Sequence, residues 1–343
     1  MSSSCIKDSA MKLGDRELDL SQPRVMTIIN VTDDSFFEHS RTDDEQSIAE
    51  RVRNAYNEGA EIFDIGGYSS RPGARELTVE EEWSRVRLGL QIVRREVPEA
   101  FVSIDTFRAE IVRRAVEEFG PLIVNDISAG ELDAEMWDVV AKYRLPYVAM
   151  HMRGTPQTMQ SQTDYPNGVV NEVCDYFAKR VELLKSRGVE NIILDPGFGF
   201  AKTLEQNYEL LGGLNRLCEM GYPVLAGVSR KSMIYKLLDI SPAEALNGTT
   251  ALHWEALRQG ATILRVHDTR EATEVIKIYN TYKKGCPNRQ PFYIISWQIL
   301  LTPQVTRIYA SLNQLLNLCY ELRFVGLICN AKPICCCREY LQP

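Results

Sequence analysis

Histidine is scarce, with four in 343 residues. No His/Cys set stands at zinc-ligand spacing, which excludes a zinc centre of the usual kind. Cysteine is almost missing from most of the chain. Only Cys5, Cys174 and Cys218 lie within residues 1–284, so this body reads as a reduced, disulfide-free domain. No apolar run reaches the roughly 20 residues of a membrane-spanning helix. The opening Met-Ser-Ser-Ser-Cys-Ile-Lys-Asp lacks the apolar core of a secretory signal. A cytoplasmic protein with no membrane contact is expected. A basic excess is missing too: the formal charge is -7 and the pI about 5.4. That argues against nucleic acid as a partner, though not against a local basic pocket.

What is present is a repeat of short apolar segments. They fall at 25–30, 61–65, 101–105, 122–126, 146–150, 191–195, 223–227 and 261–266. Helical composition fills 46–58, 80–96, 108–118, 133–143, 168–188, 204–219, 230–239 with 242–259, and 270–283. Several segments are apolar throughout, as parallel strands covered on both faces must be. Eight strand–helix units in about 260 residues predict an α/β fold, a (β/α)8 TIM barrel. A doubly wound open sheet is the runner-up, but it would want a glycine-rich turn after the first strand, and there is none. Residues 1–24 read as a short N-terminal extension, with a hairpin or lid near 11–24 at the barrel floor, and 25–284 as the barrel. Residues 285–343 read as an atypical C-terminal tail. Thr78 with Glu81 resembles a capping box, Ser241-Pro242 a helix start, and Gly59, Gly120, Gly188, Gly221 and Gly260 stand at helix ends.

The strand ends carry the chemistry, because a barrel builds its site there. They read Asn30, Asp64, Asp105, Asn125-Asp126, His151, Asp195, Arg230-Lys231 and Arg265-Val266-His267. Buried polar groups without partners cost several kcal/mol, on the order of 2–7. A shared polar pocket accounts for so many better than a self-satisfied structural network. Asp105, Asn125 and Asp195 suit the edge of a planar heterocycle with ring N–H and amino donors, and Lys231 a ring carbonyl or nitrogen. Arg71, Arg265 and His267 suit a phosphate or pyrophosphate. Asn30 with nearby carboxylates suits Mg²⁺ as an oxygen ligand. The loops 31–44, with Phe36 and Phe37, and 66–75, with Arg71, read as substrate-binding or water-excluding covers. Asp64 is read as loop support or a direct contact, Asp126 as a partner of the site or a cap, His39 as a surface residue and His253 as a packed helix residue. Met150 and Met152 point away from His151 by strand alternation, so one of them can line the site.

In register along the barrel, eight strings resemble those of the dihydropteroate synthases. They are Asn30-Val-Thr-Asp-Asp-Ser-Phe36, Gly66-Gly-Tyr-Ser-Ser-Arg-Pro-Gly73, Ser103-Ile-Asp-Thr106, Asn125-Asp-Ile127, Met150-His-Met152, Asp195-Pro-Gly-Phe-Gly-Phe200, Ser229-Arg-Lys-Ser232 and Arg265-Val-His-Asp268. The resemblance covers residues 25–284. It implies condensation of 6-hydroxymethyl-7,8-dihydropterin pyrophosphate with 4-aminobenzoate, Mg²⁺ as cofactor and a homodimer. It implies that Asp105, Asn125, Asp195 and Lys231 hold the pterin and that Asn30, Arg71, Arg265 and His267 lie against pyrophosphate. Ser70, Arg71, Pro72, Phe198 or Phe200, Lys231 and Ser232 are implied near the aminobenzoate, and Met150 among the substrate contacts. Asp105, Asp195, Lys231, Arg265 and His267 are the catalytic candidates, stabilising a pterin methylene cation and the departing pyrophosphate without a strong general base.

Two positions depart from the family pattern: Asp33 replaces the usual proline, and Tyr68 with Ser70 replaces Glu and Thr. The tail departs altogether. It holds six of the nine cysteines, including Cys335-Cys336-Cys337, with no second ligand set. It reads as an amphipathic or poorly ordered appendage. The competing readings are a pterin-binding methyltransferase with a methyl-folate donor, a lysine aldolase built on Lys231, and a non-catalytic pterin binder. The aldolase is disfavoured because Lys231 shows no apolar surroundings to depress its pKa.

Overall fold

The computed structural model describes residues 10–31, 41–68 and 75–285, the side chains of 41–44 and 285 excepted. The sequence-predicted Asp33, Phe36, Phe37, His39, Ser70, Arg71, Pro72 and the tail lie outside the described residues. Backbone contacts divide the chain into Met1–Lys284 and Gly285–Pro343.

The barrel strands are β3 (Arg24–Asn30), β4 (Ile62–Gly66), β5 (Phe101–Asp105), β6 (Ile123–Asp126), β7 (Tyr147–Met150), β8 (Ile192–Asp195), β9 (Leu225–Ala226) and β10 (Ile263–Val266). They pair in parallel in the order β8-β7-β6-β5-β4-β3-β10-β9, and a parallel bridge between Leu194 and Val224 joins the two remaining edges. Ahead of them, β1 (Ala10–Leu13) and β2 (Arg16–Asp19) form the expected hairpin. Its Met11 and Leu18 pack with Leu20 against Met26, Ile62, Ile123, Val148, Ile193, Leu225 and Ile263, near the starts of seven barrel strands. The hairpin therefore plugs the floor, and the open end is the other one.

Among the described residues ten helices surround the strands: α1 (Arg41–Glu58), α2 (Val79–Glu96), α3 (Ala109–Phe119), α4 (Met136–Tyr143), α5 (Val169–Ser186), α6 (Leu204–Gly212), α7 (Leu214–Cys218), α8 (Ser232–Leu238), α9 (Leu246–Arg258) and α10 (Thr269–Gly285). Thr78 and Glu81 make the reciprocal capping box at α2. Two expectations shift. The stretch 204–219 is two helices, broken at Gly212-Gly213, where a Cβ on Gly213 would lie 2.7 Å from the Val170 side chain. Ser241-Pro242 opens a short 3-10 turn, and α9 begins only at Leu246. No helix among the described residues is long and apolar enough to cross a membrane.

The register sets up the site. Asn30 pairs with Gly66, Gly66 with Asp105 and Asp105 with Asn125, a single line across the ends of β3 to β6.

Candidate active site

Arg265 is the centre of the polar cluster. Its Nε donates to Asp64 Oδ2 at 2.6 Å and its Nη2 to Asp105 Oδ2 at 2.6 Å. Asn125 Nδ2 donates to the same Asp64 oxygen at 3.0 Å. Asp64 is fully buried and thus serves as the pin holding Arg265 and Asn125 in place. Its other oxygen, Oδ1, is buried without a hydrogen-bond partner among the described residues. Burial pushes the Asp105 carboxyl up to about 7; Arg265 opposes that, and the charges of Asp64, Glu82 and Asp126 add to it. Burial works against the Arg265 charge too, but Asp64 and Asp105 overcome it and hold the guanidinium protonated.

Behind Asp105 stands a group that the sequence did not single out. Glu82 of α2, fully buried, accepts from Thr106 Oγ1 at 2.5 Å and from Arg108 Nη1 at 2.8 Å, bracing the turn that follows β5. Tyr68 packs edge-on against Phe107 of that turn, ring centroids 5.2 Å apart. The aromatic departure at position 68 thereby gains a packing partner.

Across the mouth, β8 delivers Asp195. Its Oδ1 accepts from the Gly197 backbone N–H at 2.8 Å. Burial raises its pKa, and Lys231 opposes the rise. Gly197 is required where it stands: φ is +70°, and a Cβ there would sit 2.0 Å from the His151 carbonyl oxygen. Phe198 corrects an expectation. Its ring is fully buried in the main core and cannot wall the pocket; only its carbonyl reaches the site, accepting from Lys231 Nζ. Phe200 does reach it, half-buried, with Lys231 Nζ 5.0 Å from its ring centroid. Lys231, at the N-terminus of α8, is also better enclosed than its loop sequence suggests. Burial lowers its pKa to about 8, with Asp195 pulling the other way. Contrary to the expectation from sequence, its surroundings do depress this lysine. Ser232 follows it, half-buried.

Met150 and Met152 pack together with Met159, Ile127 and Phe200. His151 faces the opposite way, its ring 4.9 Å from that of Tyr176 and Nδ1 3.1 Å from Lys202 Nζ. Lys202, also missed by sequence, donates to the carbonyls of Gly197 at 3.0 Å and Phe200 at 2.9 Å, so it clamps the turn carrying Asp195. Burial lowers its pKa to about 7. His151 is thus a support of that turn. Asp126 is a loop cap: its carboxylate accepts from Ser128 and Gly130 backbone N–H groups and from the Tyr147 hydroxyl. His253 is a buried residue of α9, as its sequence context indicates.

His267 follows β10. Ser229 Oγ accepts the His267 backbone N–H at 3.1 Å and lies 3.0 Å from its Nδ1. Since that oxygen already accepts one proton, its own hydrogen is free to go to Nδ1, leaving the ring N–H at Nε2. Burial and the Arg265 charge lower the imidazole pKa to about 4, so it is a neutral donor. His267 also lines a cavity of about 380 Å³ with Ile28, Ile29, Asn30, Ser47, Ile48 and Arg51. Asn30, at the exposed end of β3, contributes a carboxamide to it. Arg230 plays no part in an anion site: Asp268 holds it at 2.8 and 2.9 Å, and the carbonyl of Pro242 at 2.9 Å.

The site therefore offers two carboxylates and an amide across from an ammonium, and beside them a guanidinium and a neutral imidazole. Residues 26–267 match the family described as pterin binding enzyme. A dihydropteroate synthase of Synechocystis is 42% identical over 257 residues, covering 74% of this chain and 88% of that protein. The Yersinia pestis dihydropteroate synthase in complex with a sulfonamide drug superposes with a TM-score of 0.75 at 34% identity, covering 80% of this chain and 99% of that one. The Xanthomonas albilineans dihydropteroate synthase with 4-aminobenzoic acid gives 0.73 at 35% identity, covering 81% and 99%.

Proposed function

The chain belongs to the dihydropteroate synthases of the pterin-binding enzyme family and condenses pterin pyrophosphate with 4-aminobenzoate to dihydropteroate; from this premise we propose how its residues divide the work. Asp105, Asn125, Asp195 and Lys231 hold the pterin, and Arg265 with His267 and Asn30 receives the pyrophosphate. The observation that carries this division is the bridge of Arg265 to both Asp64 and Asp105, which sets the cation beside the carboxylate at the junction of the two halves.

As the C–O bond to pyrophosphate breaks, positive charge develops on the pterin methylene. Ionised Asp105 and Asp195 face that charge from fixed positions, and such preorganised groups act most strongly where water is excluded. The electrons of the broken bond leave with pyrophosphate, toward Arg265 and the Nε2–H of His267. The aminobenzoate nitrogen then attacks the methylene and afterwards loses a proton. The amine is already an adequate nucleophile and needs no strong base. Phe200, with Lys231 and Ser232, borders the aminobenzoate position, and sulfonamides are expected to compete there.

Mg²⁺ fits these residues as a partner of the substrate. Among the described residues no three acidic, His or Cys side chains cluster around a metal, but Mg²⁺ commonly takes one or two protein oxygens and completes its shell with phosphates and water. Asn30 Oδ1, beside the cavity, would supply such an oxygen. Bound there, the ion would offset charge on the leaving group. Homodimerisation and a cytoplasmic location complete the reading. A methyl-folate donor would leave the cavity beside Asn30 and His267 without an occupant.

Incubation of the full chain with pterin pyrophosphate, 4-aminobenzoate and Mg²⁺ should give dihydropteroate and pyrophosphate. Absence of product while both substrates bind would contradict the reading.

A further inference from the structure

We propose that Arg51 is a further anion-binding residue, one that reads the terminal phosphate of the pyrophosphate group. The proposal rests on the assignment of pyrophosphate to the His267 side of the site.

Among the described residues Arg265 is the arginine expected on the leaving group, yet Asp64 and Asp105 both hold it, each at 2.6 Å. Its single charge stands against two carboxylates, so an arriving pyrophosphate meets little net positive charge from that cluster. Arg230 is bound to Asp268. Arg51 is different. No described carboxylate lies within ion-pair distance of it, and the one hydrogen bond it makes among the described residues is a donation from Nη2 to the His267 carbonyl.

Its placement follows from α1. Ser47, Ile48 and Arg51 are spaced i, i+1 and i+4, so they share one helix face. That face, with Asn30 and His267, lines the cavity of about 380 Å³. Neither Arg265 nor Asp105 lines it. The charges of Arg265, Arg230 and Arg51 all depress the His267 pKa, so the imidazole lies within electrostatic reach of Arg51, whose Nη2 also donates to the His267 carbonyl. A diphosphate bound at Arg265 and His267 and extending away from the pterin enters the cavity bordered by Arg51. A guanidinium keeps four N–H donors after one is given to a carbonyl, enough for a bidentate phosphate contact. Half-burial in a pocket wall reduces the screening it would suffer on an open surface.

Arg51→Gln removes the charge while retaining a donor for the His267 carbonyl, and Arg51→Lys restores the charge. Binding of inorganic pyrophosphate to the full chain, measured calorimetrically at fixed Mg²⁺, should weaken in Arg51→Gln on the order of tenfold. The KM for pterin pyrophosphate should rise similarly, with the KM for 4-aminobenzoate unchanged. Binding of the unphosphorylated pterin alcohol should match the parent in both variants, and Arg51→Lys should recover most of the pyrophosphate affinity. Parent-like pyrophosphate binding in Arg51→Gln would overturn the proposal. So would an equal loss for pyrophosphate and the pterin alcohol, which would make Arg51 a support of His267 only. Failure of the parent chain to form dihydropteroate would instead strike the assigned reaction, and the pyrophosphate titration would still decide the role of Arg51.

Discussion

Arg265 Nη2 donates to Asp105 Oδ2 at 2.6 Å, so the cation meant for the leaving group and the carboxylate meant for the pterin are one ion pair. A change in either is felt by the other. Arg265→Lys keeps a charge but loses the fork that spans Asp64 and Asp105. Turnover should fall about a hundredfold. The acidic limb of the pH profile should also move upward, because one ammonium cannot pair with Asp64 and Asp105 together and so opposes the raised Asp105 pKa less well. A variant with parent-like turnover and pH profile would disconnect the pair from catalysis.

The pH dependence follows from two opposed shifts. Asp105 is raised from 3.8 to about 7, so it is ionised only above that pH. Lys231 is lowered from 10.5 to about 8, so its ammonium is lost above that pH. If catalysis uses the carboxylate and the ammonium, kcat/KM for pterin pyrophosphate rises with pH through about 7 and falls beyond about 8. Such limbs belong to the coupled site as a whole. A profile flat from pH 6 to 9 would exclude both assignments.

The two phenylalanines of the β8 turn should separate cleanly. Phe198 is a core residue, and Phe198→Ala should cost about 3–5 kcal/mol of stability. Phe200 stands beside Lys231. Phe200→Ala should raise the KM for 4-aminobenzoate several-fold, at a smaller stability cost. Urea unfolding and steady-state kinetics on the pair check this. Equal kinetic defects would mean that the distinction between core and pocket is wrong.

Gly197→Ala tests the turn itself. A side chain at φ +70° whose Cβ would overlap the His151 carbonyl must displace either β7 or Asp195. A loss of at least about 2 kcal/mol is expected, together with weakened pterin binding. A variant that unfolds and binds like the parent would show that the turn does not require glycine at this position.

Much of this architecture could be read from the chain because parallel barrel strands are covered on both faces. Each therefore appears as an apolar run whose polar residue marks the exit, as in Ile192–Asp195. The same logic located Asp105, Asn125, Lys231 and His267. It failed where position depends on tertiary packing. Phe198 and Phe200 look equivalent in a Gly-rich turn, and only the packed barrel buries the first. Arg51 is one of several charged residues on α1, and only the docking of that helix face beside β3 and the β10 exit sets it at His267. Glu82 acts through a hydroxyl distant in sequence, and Lys202 bonds the nearby Gly197 and Phe200 carbonyls only because the turn folds back over its ammonium beside the distant His151, so neither role shows in local spacing. Gly213 breaks a helix because α5 comes close, again a contact between distant segments.

The central claim is that the Asp105 charge stabilises the cation formed as pyrophosphate departs. Asp105→Asn keeps the shape and a hydrogen-bonding group but removes the charge. Rapid-quench single turnover with saturating pterin pyrophosphate and 4-aminobenzoate isolates the chemical step. A rate at least ~100-fold below the parent, with pterin pyrophosphate still bound, is the predicted result. A rate within a few-fold of the parent would contradict it.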